Sequence, residues 1–288
     1  MDAPHEHVPV LEGPALEWLA VRPDGVYVDC TVGGAGHARR IAERLDTGRL
    51  IALDRDPAAV ARARESLEAY PAATVIHANY DALAATLDGL DIEHVHGVLI
   101  DAGLSSIQLN DPMRGFSFQE DGPLDMRMDT SQALTAAGYI ERVTERELAA
   151  VLKELGDVRP ARRIAAAILR RREAGRLEST RDLAEAVAEA LDFVRGQPEE
   201  VRTVFQALRI AVNNELRALD ACIRQAVETL TPGGRLVAIA FHSGEDRVVK
   251  RVLRENARPQ RDIAPDGRVR DTVPARLRLL TPKPVLPS

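Results

Sequence analysis

The segment Thr31-Val32-Gly33-Gly34-Ala35-Gly36-His37 sets a glycine-rich turn directly after the short apolar run Val26 to Asp29. Glycines there let the backbone reach positive φ and approach a ligand closely. A dinucleotide-binding turn requires a third glycine three residues after Gly36; Arg39 stands in that place, which argues against a nicotinamide cofactor. Taken alone, the turn has a structural bend as its lesser alternative. Asp54 closes a second run, Arg49 to Asp54, where a carboxylate can accept both ribose hydroxyls of a nucleoside. Asp56, directly before Pro57, is the natural helix cap, which leaves Asp54 for a ligand. Asp101 ends a further run, Gly97 to Asp101, and leads into Ala102-Gly103-Leu104-Ser105-Ser106. Asp29, Asp54 and Asp101 at one edge repel each other unless a cation or a strong donor lies among them. A sulfonium cofactor carrying an α-amino group answers that need.

The elements that must position these acids are short β-type runs, Val26 to Asp29, Arg49 to Asp54, Ala73 to Ala78 and Gly97 to Asp101, separated by helix-length segments. This is the pattern of βαβ units in a parallel sheet, whose strand-end loops gather along one edge where ligands bind. A polar stretch with Gly and Pro, Ser105 to Asp129, then gives way to a long segment of helical period. Thr144-x-x-Glu147 and Ser179-x-x-Asp182 read as capping boxes within it. After the turn Thr231-Pro232-Gly233-Gly234, the apolar run Arg235 to Phe241 predicts a strand buried on both faces that completes the sheet. The chain therefore divides into a discontinuous α/β domain, residues 1–110 and 214–288, and an inserted all-helical domain, residues 111–213. Pro and Arg from Arg258 to Ser288 predict an irregular tail.

Composition excludes several classes. The two cysteines, Cys30 and Cys222, cannot form a disulfide framework, and the opening residues have neither a charged nor an apolar leader, which points to a cytoplasmic protein. Charges or turn residues interrupt each apolar run well short of the roughly 18 to 20 residues of a membrane span. A net charge of −6 opposes bulk coating of nucleic acid. Arg159 to Arg176 nevertheless holds seven arginines against Glu173, and Arg247 to Lys283 holds eleven basic residues against four acids. These are local basic faces or simply solvated helices. His5-x-His7 and His94-x-His96 lack a third ligand at metal-site spacing, so no metal is expected. His242 is either a group at the catalytic edge or a structural histidine. Trp18, Phe116, Phe118 and Tyr80 are scattered, which leaves no stacking platform for single-stranded RNA and makes any base recognition local.

Longer motifs run along nearly the whole chain: His7-Val8-Pro9-Val10-Leu11, Asp29-Cys30-Thr31 with Gly33 to His37, Arg114-Gly115-Phe116-Ser117-Phe118-Gln119, and Asp121-Gly122-Pro123-Leu124-Asp125-Met126-Arg127-Met128-Asp129. Phe205-Gln206-Ala207-Leu208-Arg209-Ile210 with Val212-Asn213, Pro232 to Leu236 and Phe241-His242-Ser243 follow. In these the chain resembles the RsmH (MraW) family of bacterial 16S ribosomal RNA cytosine-N4-methyltransferases. The resemblance implies a Rossmann-like methyltransferase domain interrupted by a helical domain that recognises RNA. It implies S-adenosylmethionine as cofactor and one cytosine of 16S ribosomal RNA, within the small ribosomal subunit, as substrate. It places cofactor contacts at Ala35, Gly36, His37, Asp54, Tyr80, Asp101 and Gln108, to which the glycine turn adds Gly34.

Cytosine N4 is a poor nucleophile because its lone pair is delocalised into the ring, so the reaction calls for acceptors on the amine; Asp101 is the expected one, assisted by Ser105 or Ser106. Exposing a base from folded RNA calls for a clamp, for which the helical insertion is suited. The chain departs from the family's Asp-Leu-Gly-Val-Ser-Ser-Pro-Gln at Ala102, Leu104 and Ile107, which changes packing and keeps the polar positions. It also carries Gly244 in place of leucine, expected to loosen a helix start. Leu280 to Ser288 resembles the family's penultimate segment, and the basic Asn-Pro-Arg-Ala-Arg-Ser block that follows it in the family is not in this sequence; any RNA contact or sheet edge from that block goes with it. A binding-only protein that holds immature subunits, and a nicotinamide oxidoreductase, are the competing readings; Gly36, Asp54 and Asp101 disfavour the first and Arg39 the second.

Overall fold

The computed structural model describes residues 10–191, 198–263, 269–281 and 283–287. Of the residues singled out above, His5, His7 to Pro9, Pro282 and Ser288 lie outside this set. In chain order the first elements are α1 (Glu12–Leu19), β1 (Val26–Asp29), α2 (Gly36–Ala42), β2 (Arg49–Asp54), α3 (Pro57–Ser66), β3 (Ala73–His77), α4 (Leu83–Asp88) and β4 (Val95–Asp101). Next come α5 (Ser106–Leu109), α6 (Ala136–Arg142), α7 (Glu145–Gly156), α8 (Ala161–Glu173), α9 (Thr180–Ala190) and α10 (Glu200–Asn213). The chain closes with α11 (Glu215–Thr229), β5 (Leu230–Ile239), α12 (Ser243–Asn256), β6 (Gln260–Ile263) and β7 (Val269–Val273). Two compact units result, Met1–Gly103 with Leu216–Ser288, and Leu104–Glu215. No helix among the described residues is long and apolar enough to cross a membrane.

The first unit is a parallel five-stranded sheet in the order β3-β2-β1-β4-β5. The chain winds outward from β1 through β2 to β3, then returns to β4 on the other side of β1. The switch in winding therefore falls between β1 and β4, and ligands of such sheets bind outside the carboxyl ends of the strands at that point. Side chains alternate across the central strands. Val28, Ile51, Leu53, Val98 and Ile100 enter a core with Leu83, Leu219, Ile223 and Val252, while Tyr27, Leu50, Ala52 and Leu99 enter another with Leu16, Ile41 and Ala63. Burial on both faces is why these strands read as near-continuous apolar runs.

β5 corrects one expectation. Among the described residues it is an edge strand: Leu236 and Ala238 pack against one core and Val237 and Ile239 against the other, yet Arg235 to Ala238 are only half-buried because the outer edge is left open. Pairing begins at Leu230, opposite Val95, and resumes with Arg235 opposite Gly97, so the turn Thr231 to Gly234 is looped out within the strand. Gly233, at φ 83°, takes the positive angle that this excursion needs. The tail is the second correction: β6 and β7 pair antiparallel. Ile263, Val269, Thr272 and Val273 are β-branched and favour extended backbone despite the surrounding Pro and Arg. His96 supports β1 by accepting the Val26 amide on Nδ1 at 2.9 Å.

The second unit is helical. In α10 the apolar positions Val201, Val204, Phe205, Leu208 and Val212 follow one stripe and meet Leu148, Leu152, Ile164, Ile168, Leu183 and Val187 in a single core. Both expected capping boxes are present, Thr144 with Glu147 on α7 and Ser179 with Asp182 on α9. The Gly-Pro-Leu-Asp-Met-Arg-Met segment is architectural. Arg127 grips Asp125, with Nη2 to Oδ2 at 2.6 Å, and Arg114 donates to the Arg127 and Met128 carbonyls. Asn213 donates to the Met126 carbonyl at 2.6 Å and accepts the Met128 amide at 2.8 Å, which holds Met126 at φ 58°.

Candidate active site

The carboxyl ends of β1, β2 and β4 bring Asp29, Asp54 and Asp101 to one edge. Asp29 is 1% exposed, and its Oδ1 accepts the Thr31 amide at 3.0 Å. Burial pushes its carboxyl up to about 7, with Asp101 and Asp54 adding repulsion against the opposing Thr31 amide. Thr31 ties the two central strands together, because its Oγ1 accepts the Asp101 amide at 2.7 Å. Asp54 braces the glycine turn: Oδ2 accepts the Gly33 amide at 2.8 Å and Oδ1 the Asp56 amide at 2.9 Å. Burial raises Asp54, and those two amides oppose the rise. Asp56 caps α3 by accepting the Ala58 amide at 3.0 Å, as expected from its place before Pro57.

The turn bends through Gly33 at φ 47° and Ala35 at φ 64°. A Cβ built on Gly34 would meet nothing within 4 Å, so this part of the turn presents backbone to open space. His37, on the first turn of α2, is buried with Nε2 at 3.7 Å from Asp101 Oδ2, and burial holds its pKa below the usual imidazole value. Asp101 Oδ1 is buried without a hydrogen-bond partner among the described residues. Burial, then the charge of Glu245, pushes the Asp101 carboxyl up to about 7. Tyr80 lies in the 3-10 turn after β3 and packs half-buried against the sheet core.

Glu245 is a member of this edge that sequence reasoning missed. It is 1% exposed in the first turn of α12, and its Oε2 accepts the Phe241 amide at 2.8 Å. His242 caps the same helix, with Nδ1 accepting the Gly244 and Glu245 amides at 3.1 and 3.4 Å. Because Nδ1 is an acceptor, the neutral ring carries its proton on Nε2, 3.1 Å from Glu245 Oε1. The structural alternative thus describes His242. The expected loosening at Gly244 does not occur, since the helix start is doubly capped. A Cβ at Gly244 would come within 3.0 Å of the His242 ring, so glycine leaves the capping ring its room. The available signal was His-x-x-Glu before the apolar stripe of α12, a capping box written with an unusual acceptor.

Gln108, Ser105 and Ser106 belong to the other unit. Gln108 is buried and forms a capping box on α5, its Oε1 accepting the Ser105 amide at 3.1 Å while Ser105 Oγ accepts the Gln108 amide at 3.3 Å. Ser106 is the first residue of α5. No group of three His, Cys, Asp or Glu able to hold a metal ion occurs among the described residues.

A glycine turn braced by a strand-end acid, at the switch point of a parallel sheet and without the third glycine of a dinucleotide site, defines a Rossmann-like domain for a nucleoside-containing cofactor. Three acids raised by burial favour a cationic one. The model of the MraW methylase family matches residues 4–288. Three relatives are each named ribosomal RNA small subunit methyltransferase H. That of Aromatoleum aromaticum is 49% identical over 260 residues, covering 90% of this chain and 83% of its own. That of Thioalkalivibrio sulfidiphilus is 49% identical over 257 residues, covering 88% and 82%. That of Halorhodospira halophila is 50% identical over 252 residues, covering 86% and 78%. The chain belongs to the MraW methylase family, and it is a methyltransferase. The residues present fit the S-adenosylmethionine that the resemblance implies: the buried Asp101 Oδ1 lacks a donor among the described residues, Gly34 offers bare backbone, and the acid edge matches a sulfonium and an ammonium.

Proposed function

We propose that this protein methylates N4 of one cytosine in the 16S ribosomal RNA of the small ribosomal subunit. The observation that carries the reading is Asp101 Oδ1, a buried carboxylate oxygen without a donor at the switch point of the sheet. The names of the relatives support ribosomal RNA as the substrate class. The cofactor, when bound, supplies an electrophilic methyl group. The backbone of Gly34 to Gly36 with His37 and Tyr80 holds it. Asp54 takes the ribose hydroxyls, each carboxylate oxygen having a lone pair beyond the amide it already accepts.

Asp101 accepts a hydrogen bond from the cytosine amine, which localises the nitrogen lone pair, and Oδ1 takes the proton that the methylated nitrogen must shed. A carboxyl raised to about 7 suits that exchange at neutral pH. The domain of residues 1–110 and 214–288 carries the chemistry, and the helical domain, residues 111–213, grips the RNA. Arg159, Arg162, Arg163, Arg170 and Arg176 are exposed in that domain and supply phosphate contacts, while Arg171 is consumed internally by Glu185 and Glu189.

The test is calorimetric titration with S-adenosylmethionine, followed by methyl transfer to unmodified small subunits and identification of the methylated nucleoside. Cofactor binding with N4-methylcytidine as the product is the expected result. Absence of cofactor binding, or a methyl group on another nucleoside, overturns the proposal.

A further inference from the structure

Phe241 is 55% exposed, and among the described aromatic side chains only Trp18, at 36%, is also exposed. With aromatics at 3% of the chain, an apolar ring left largely in water is unusual here, and its position is informative. Asp101 pairs in register with Ile239, so Gly103 and Phe241 stand side by side two residues further along the adjacent strand ends. Gly103 takes φ 104°, and Phe241 Cδ2 lies 3.4 Å from the place where a Cβ on Gly103 would sit. The ring edge thus leans on bare backbone. The Phe241 amide is fixed by Glu245 Oε2 at 2.8 Å, inside the capped start of α12. The ring is held from two sides at the rim of the acid edge, one strand spacing from the strand that ends in Asp101, with its remaining surface open to solvent.

We propose that Phe241 is the stacking surface for the target base: a pyrimidine lies against this ring while its exocyclic amine reaches Asp101. This rests on the reading of Asp101 given above and adds the residue that orients the base. Stacking on an aromatic face tolerates any base, so Phe241 contributes hold and orientation, and the choice of cytosine stays with the acceptors. A single ring also accounts for local base recognition in a chain without an aromatic platform.

The experiment compares the whole protein with Phe241→Leu, Phe241→Tyr and Phe241→Trp. It measures S-adenosylmethionine affinity by calorimetry, single-turnover methyl transfer to unmodified small subunits, and the identity of the methylated nucleoside. One lost base stack predicts that Phe241→Leu loses about 10- to 100-fold in transfer efficiency. Its cofactor affinity stays within about twofold of the parent, and the Tyr and Trp variants keep most of the rate. Unchanged transfer in Phe241→Leu overturns the proposal; so does equal loss in Phe241→Leu and Phe241→Trp, or a matching loss of cofactor affinity. If the parent methylates a base atom other than cytosine N4, the functional reading falls, while the Leu, Tyr and Trp comparison still decides whether the ring stacks the base.

Discussion

The pH dependence of methyl transfer tests the role of Asp101 most directly. Its carboxyl titrates at about 7 because burial, then the Glu245 charge, disfavours ionisation. As an acceptor for an amine it works only when ionised, so activity must rise with pH. With a midpoint near 7 the carboxylate fraction is about one tenth at pH 6 and about nine tenths at pH 8, a rise of about tenfold. This is the behaviour of kcat/KM for the cofactor, which reports the free protein. At saturating cofactor the neighbouring cation favours the carboxylate, so the midpoint in kcat falls below 7. Asp101→Asn keeps the shape and an acceptor oxygen but cannot take up a proton. It is expected to lower kcat by roughly a hundredfold or more and to abolish the rising limb. The assay is single-turnover transfer to unmodified small subunits between pH 5.5 and 8.5 at subsaturating and saturating cofactor. A parent profile that is flat through 7, or an Asp101→Asn profile that keeps the limb, refutes the assignment.

Three further outcomes are expected. Gly34→Ala meets no protein atom within 4 Å, so the thermal midpoint without ligand should be unchanged, while calorimetry should find S-adenosylmethionine binding weakened because the methyl group intrudes where the ligand meets backbone. Asp29 rises from 3.8 to about 7 in the fold, so the native state binds its proton more tightly than the unfolded chain, and its ionisation destabilises the fold progressively as pH climbs from about 4 to 7. Asp29→Asn should therefore raise the thermal midpoint at pH 8, by at most about 4 kcal/mol of stability, with the gain shrinking toward pH 5; a gain independent of pH would assign it another cause. Asn213→Ala strands the Met126 carbonyl and the Met128 amide in the helical core, and urea unfolding should show a loss of about 2 to 4 kcal/mol.

The central sheet was legible because burial on both faces writes β1, β2 and β4 as apolar runs, and because Asp56 with Pro57 and the Thr144 and Ser179 boxes mark helix starts in local chemistry. What local pattern cannot tell is which strand lies at an edge. Arg235 to Phe241 is as apolar as a central strand, yet among the described residues β5 has β4 on one side only, and Phe241 ends in solvent. The box on α5 was hidden for another reason: a helix of four residues, Ser106–Leu109, has no periodicity to announce it, so Gln108 came from the family resemblance alone. Glu245 was missed because its partners, the Phe241 and His242 amides and the Asp101 carboxylate, meet it only through the crossing from β5 into α12.

The acid edge joins the stability of this protein to its function. Burial raises Asp29, Asp54 and Asp101 together, and the Glu245 charge adds to the burden on Asp101. A fold selected for stability alone would place amides or apolar groups there, since each ionised carboxylate at this edge is disfavoured relative to water. His37 does not relieve the strain: its Nε2 stands 3.7 Å from Asp101, and burial disfavours its charged form. Arg55 offsets only part of the burden on Asp54, so the described residues leave the edge short of positive charge, and what is missing matches the charge of a sulfonium cofactor. Cation binding lowers the carboxyl pKa values and returns the stability that ionisation removes, so affinity for the cofactor should strengthen with pH over the same range in which the ligand-free fold weakens. On the proposed reading, one electrostatic arrangement serves both ends: it selects a cationic cofactor, and it leaves Asp101 poised near neutrality to exchange a proton with the amine.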